Sequence, residues 1–360
     1  MTADDLPGRP LGGLRGPFSG FERLRVLDFT KLLPGPYATQ ILADLGCRVT
    51  KIELPHFVDE ARKLPPKIDG VGSAFRMVNA GKEFLTADFR SPEGLARVRA
   101  LAAEADVVIE GFRPGLMDRC GLGANELMGL NARLIYCSLT GYPEAGPWRR
   151  KAGHDLNFLA VSGFLGLEAE PRVPPTQLAD LTGGLAAAAA ILAALVERGA
   201  TGRGKRVSVS MAETMHSLLP IPLGEALAEG RDPTGPRWWN GAHPFYRLYE
   251  TADGRRLAVA ALEKPFALSL LDALGLKSLS ALADDPLAHA GVLTAELARV
   301  LRSASAGEWE ERLKDKDVCV TKVLGLAEAR AFMDRQRTPD PGAAPARCRK
   351  PRIGRSRRPI

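Results

Sequence analysis

The sequence predicts an α/β protein in two parts: a large domain built on a doubly wound, mostly parallel sheet, and a smaller α+β domain after it. Three observations predict this. Strand-like runs alternate with helical patterns through residues 24–220; a hairpin pattern about the turn "ADG" follows a Gly/Pro-rich break; and 360 residues exceed what one small core organises.

The elements follow in chain order. After a Gly/Pro-rich leader over residues 1–21, "LRVLDFT" (24–30) reads as a strand, "PGPYATQILADLG" (34–46) as a helix closed by Gly46, and "RVTKIEL" (48–54) as a second strand. Strand, helix, strand makes a parallel pair. The pattern recurs in "KEFLTADF" (82–89), in a helix opened by Ser91 as N-cap and Pro92 at the first position, and in "DVVIEGF" (106–112) and "NARLIYCSLTGY" (131–142). The alanine-rich "GGLAAAAAILAALVERG" (183–199) reads as a buried helix, expected to be too short to span a bilayer, and "KRVSVSMAETMHSLLP" (205–220) as a strand running into a helix. "EGRDPTGPRWWNGAHP" then breaks regularity, which places a large domain over 22–224 and a small one over 225–330. Within the second, "PFYRLYETADGRRLAVAAL" (244–262) reads as an antiparallel hairpin, followed by helices near 264–303 and a last strand in 317–324.

Composition narrows the function classes. Hydrophobic residues make up 45% and charged residues 25%, an ordinary globular balance. The net charge of +7 resides in a basic tail: residues 331–360 carry nine Lys/Arg against two Asp, leaving the rest neutral, so no nucleic-acid surface is expected. Five scattered cysteines without ligand spacing predict no metal site, and an N-terminus without a basic start and apolar run predicts a cytoplasmic protein with no membrane partner. The first strand-helix turn, "KLLPGP", lacks the glycine spacing of a dinucleotide site, and its prolines remove N–H donors, which disfavours NAD or FAD.

Several residues are candidates for chemistry. His154 and Asp155 stand side by side in "AGHDLNFLAVSG", either as a structural hydrogen-bonded pair or as an acid/base pair. Asp180, in "QLADLTGG", either caps the alanine-rich helix or acts as base or nucleophile where helix-start N–H groups can stabilise an oxyanion. Glu263 ends the hairpin and has no local feature that selects it. Arg62, Asn79, Lys82, Arg113 and Arg119 would together suit a phosphorylated anion at the carboxyl ends of the strands.

In order, "RVLDFTKLLPGPYATQILADLGCRVTKIE", "GFRPGLMDRCGLG", "NARLIYCSLTGY", "AGHDLNFLAVSG", "QLADLTGG" and "PFYRLYETADGRRLAVAALE" resemble the family III CoA transferases of the CaiB/BaiF type, and within them the alpha-methylacyl-CoA racemases. The resemblance implies a Rossmann-like large domain, an interlocked homodimer, an acyl-CoA thioester as substrate and no cofactor beyond its coenzyme A. It implies that His154 paired with Glu263 is one acid/base and Asp180 the other, with Asp155 supporting the first. The expected reaction is epimerisation of a 2-methylacyl-CoA through an enolate, with N–H groups of "DLTGG" holding the enolate oxygen. Its alternatives are CoA transfer through an acyl anhydride on Asp180, for which the transferases' glycine-rich loop is missing from residues 225–260, and a non-catalytic acyl-CoA binding protein. Phe158, Glu83 and Lys322 stand where the family usually carries tyrosine, a basic residue and proline.

Overall fold

The computed structural model describes residues 19–337. The chain divides into two compact units between Gly235 and Pro236. The leader and most of the basic tail lie outside the described residues.

The first unit begins with β1 (Arg25–Asp28), α1 (Pro34–Asp44) and β2 (Arg48–Glu53), then a short hairpin of β3 (Lys67–Ile68) and β4 (Val71–Gly72). Next come α2 (Ser73–Met77), β5 (Glu83–Thr86), α3 (Pro92–Ala103), β6 (Val107–Glu110), α4 (Leu116–Arg119), α5 (Ala124–Leu130) and β7 (Ile135–Thr140). It closes with α6 (Asp155–Val161), α7 (Leu178–Thr201), β8 (Arg206–Ser210), α8 (Met211–Ser217) and α9 (Pro220–Glu229). The expected domain boundary at 224/225 falls inside α9, whose Pro220 start and left-handed Gly230 stop make it one helix of the first unit.

Six of these strands form a parallel sheet in the order β5-β2-β1-β6-β7-β8. The chain builds outward from β1 in one direction and then restarts at β6 in the other, so the switch point lies between β1 and β6. Strand alternation divides the core between the two faces. Val26, Val107 and Ile109 pack with α1, α7 and α8 residues on one side, while Leu27, Val108 and Tyr136 pack with α3 and α5 on the other. Because both faces are covered, β6 and β7 are buried at every position.

Helix α7 departs from expectation. It starts at Leu178 and runs for 24 residues, so Gly183 and Gly184 lie inside it rather than ahead of it. A Cβ on Gly184 would stand 2.4 Å from the Pro34 carbonyl oxygen, and one on Gly183 2.5 Å from Met211 Cγ. The glycines thus let α7 seat directly on α1 and α8, and the buried stripe continues through Ala187, Ala188, Ile191 and Ala194. By length and composition α7 is also apolar enough to cross a membrane, contrary to the reading as too short.

In the second unit, β9 (Tyr246–Glu250) and β10 (Arg256–Ala260) pair antiparallel about a turn in which Gly254 has φ +71°. Helices α10 (Lys264–Ala273), α11 (Ala290–Leu301) and α12 (Ala306–Leu313) precede β11 (Val320–Lys322), which pairs antiparallel with the other side of β10, and α13 (Leu326–Arg337) follows. Phe245, Leu257, Leu270, Leu293 and Leu297 are fully enclosed in its core.

Two alanine substitutions in α7 separate packing from propensity. Gly184→Ala should destabilise the protein by about 2 kcal/mol through overpacking against α1, whereas Gly199→Ala, which meets no atom within 4 Å, should stabilise by about 0.5–1 kcal/mol. Urea denaturation of both variants reads the difference.

Candidate active site

The carboxyl ends of β1, β6 and β7 open into a cleft of about 410 Å³. The loop after β1 contributes Lys31, the loop after β6 contributes Arg113, and the segment after β7 contributes Arg149, Lys151 and His154, with Asp180 entering from α7. This is the switch point of the sheet, where open α/β folds bind ligands.

Beneath the cleft lies a buried polar floor. Asp28, at the end of β1, and Lys82 are both 0% exposed in their side chains and pair at 3.3 Å. Lys82 Nζ also donates to Thr39 Oγ1 at 2.7 Å, the Pro36 carbonyl at 2.9 Å and Asn79 Oδ1 at 3.0 Å. Lys51 Nζ donates to the Thr30 carbonyl at 2.6 Å and pairs with Asp59 at 3.4 Å. Burial alone would raise the Asp28 carboxyl; Lys51, Lys82 and the hydroxyls of Thr30 and Thr39 override it and hold it well below the usual carboxylate range. Burial lowers the Lys82 ammonium to about 8 against the pull of Asp28.

This floor changes the reading of the expected phosphate ligands. Lys82 is surrounded by internal acceptors, and Asn79 is buried with its Nδ2 donating to the Phe75 carbonyl. Both hold the fold together instead of facing a ligand. Arg62 grips Glu53 through Nε at 3.2 Å and Nη2 at 2.9 Å and lies over the Phe75 ring at 4.0 Å, so its guanidinium is engaged as well. Arg119 ends α4 exposed and is not among the cleft residues, whereas Arg113 is exposed and lines the cleft. Sequence reasoning passed over Lys31, Arg149 and Lys151; the basic run "RRK" immediately before "AGHD" was the available signal.

His154 and Asp180 both line the cleft, each from a helix start. His154 is the N-cap of α6 in extended conformation, and its N–H donates to Asn157 Oδ1 at 3.0 Å. Asp155 Oδ1 accepts the Asp180 N–H at 3.0 Å, which ties the first turn of α6 to the first turn of α7. Asp155 is expected to support His154; the contact it makes is instead with the Asp180 backbone. Asp180 sits third in α7, half-buried, and its carboxyl is pushed up to about 7 by burial and then by the charge of Asp155.

The expected oxyanion donors do not hold. In "DLTGG", the Asp180 N–H is taken by Asp155, the Leu181 N–H bonds to the Gln177 carbonyl at 3.1 Å, and the glycines are helix interior. In the first turn of α1, which reads Pro34-Gly35-Pro36, Gly35 carries the N–H that the flanking prolines lack, and it lines the cleft. Glu263 lies in the second unit, exposed, as the N-cap of α10, where its carbonyl accepts the Ala267 N–H at 3.0 Å. Among the described residues no cluster of three or more His, Cys, Asp or Glu is arranged to hold a metal.

A doubly wound sheet with an anion-friendly, acid/base-bearing cleft at its switch point defines an enzyme-type α/β protein, and sequence comparison assigns the branch. Residues 21–339 match the model of CoA-transferase family III, and the chain belongs to that family. It is 33% identical to the alpha-methylacyl-CoA racemase of Mus musculus, covering 93% of this chain and 88% of that one. It is also 33% identical to the acetyl-CoA:oxalate CoA-transferase of Acetobacter aceti, covering 91% and 84%. A CAIB/BAIF family protein from Brucella suis superposes with a TM-score of 0.76 at 31% identity, over 90% of this chain and 87% of that one. Relatives at equal identity thus include both racemases and transferases.

The raised Asp180 carboxyl predicts a pH-dependent stability. A carboxyl whose folded value exceeds its unfolded one stabilises fully below the unfolded value, and that contribution is lost as pH rises through about 7. Asp180→Asn should therefore be more stable than the parent by roughly 1–2 kcal/mol at pH 8, and the gap should close toward pH 4. Denaturant midpoints across that range measure it.

Proposed function

We propose that the protein epimerises 2-methylacyl-CoA thioesters, with His154 and Asp180 as the two proton-transfer groups. The observation that carries this reading is their shared cleft, held in register by the Asp155 contact to the Asp180 backbone. Inversion at a carbon alpha to a thioester needs one group to remove the proton from one face and a second to return a proton to the other. In one direction the His154 imidazole takes the α-proton, electron density moves onto the thioester oxygen, and the Asp180 carboxyl protonates the opposite face; the reverse direction exchanges the roles. A carboxyl near neutrality is suited to the acid role, since burial keeps a share of it protonated at pH 7. The Gly35 N–H is the backbone donor at the cleft that can meet the enolate oxygen, and Lys31, Arg113, Arg149 and Lys151 suit the phosphates of coenzyme A.

CoA transfer is the second reading, favoured by the likeness to the Acetobacter aceti enzyme, with Asp180 as nucleophile. The lack of a run of three or four glycines in residues 225–260, which covers the aspartate in the transferases, weighs against it. An interlocked homodimer goes with either reading, and the exposed apolar Leu185 and Val196 on α7, at 51% and 78%, support it.

Incubation with either enantiomer of a 2-methylacyl-CoA in deuterated water should place deuterium at the α-carbon. His154→Gln and Asp180→Asn should each lower inversion about 10²–10⁴-fold, while each still exchanges the proton on the face it retains. No exchange in the parent, together with a hydroxylamine-trapped acyl group on Asp180, overturns epimerisation in favour of transfer; neither signal leaves a binding protein. Light scattering should give twice the chain mass.

A further inference from the structure

Tyr142 is shared by two cavities. It lines the cleft, and it also lines an adjoining apolar groove of about 380 Å³ that includes Pro143, Trp148, Val161 and Ala212. Its ring is clamped edge-on between Phe158 and Trp148, with both centroids at 5.3 Å and interplanar angles of 84° and 89°. Two glycines make room for the clamp. A Cβ on Gly141 would stand 2.4 Å from the Phe158 ring, and one on Gly153 would stand 2.9 Å from the Tyr142 hydroxyl. A single, tightly held ring therefore separates the reaction centre from the groove.

We infer that the groove receives the distal part of the acyl chain and that the Tyr142 ring sets how readily a long chain passes from the cleft into it; this rests on the acyl-CoA reading above. Trp148 and Val161 are 42% and 46% exposed on the groove wall, so hydrocarbon laid against them removes apolar surface from water on both sides. The polar members of the lining are few, and Lys151 Nζ lies 3.5 Å over the Trp148 ring at the boundary with the cleft. Glu213 is an exposed acid, and His216 Nδ1 donates to the Ser162 carbonyl at 2.9 Å, which leaves Nε2 free to be an acceptor in the neutral ring. The cationic cleft and the apolar groove thereby divide one ligand between them, phosphates on one side and alkyl chain on the other.

Calorimetric titration of the full chain with propanoyl-CoA and dodecanoyl-CoA tests the inference without requiring turnover. The parent should bind dodecanoyl-CoA more tightly. Val161→Glu, at an exposed position that folding tolerates, should lower the dodecanoyl-to-propanoyl affinity ratio about tenfold, and Tyr142→Ala should raise it by a similar factor. Ratios within twofold of the parent in the folded variants overturn the groove assignment while leaving the acyl-CoA reading intact. Failure of the parent to bind either thioester overturns both.

Discussion

The buried Asp28 and Lys82 pair is the constraint on which the cleft depends. It joins the end of the central strand, the first turns of α1 through Pro36 and Thr39, and the turn that leads into β5. Charges this deep are stable only when every donor and acceptor is met, and losing one partner of such a pair typically costs about 3–5 kcal/mol because the survivor is stranded. Lys51 and Asp59 repeat the arrangement beside it, anchoring the Thr30 carbonyl and the segment before Arg62. Two cations and two carboxylates in a dry floor tie the segments above them together.

Packing on the opposite wall has a different basis. Helix α7 approaches α1 and α8 closely because its second turn presents Gly183 and Gly184, and Asp180, one turn earlier, lines the cleft. Burial at that edge, and then the charge of Asp155, raise the carboxyl to about 7.

Much of the fold was legible in the sequence because period-two and period-3.6 patterns survive burial. Strands at Val26, Val49, Val107 and Ile135 and the Gly254 hairpin are where the patterns put them. The start of α7 was not, because a glycine pair reads as a helix opening unless the neighbours that demand close contact are known. Lys82 and Asn79 were misjudged for the opposite reason: polar residues in a loop look available, and only the fold reveals that Asp28, Thr39 and Phe75 have already claimed them. His154 and Asp180 stood out by type and by resemblance; that they share a cleft was a matter of topology, because 25 residues of intervening chain have no periodicity that predicts it.

The contact from the Asp155 carboxylate to the Asp180 amide has a further consequence. Because it links main chain on one helix to the residue adjacent to the imidazole on another, the offset between the two helix starts that carry His154 and Asp180 is set by a side-chain-to-backbone staple. The aromatic and basic residues between Tyr142 and Gly153 lie outside that staple. Substitutions in that segment can therefore reshape the rim of the cleft without altering how the two helix starts are joined.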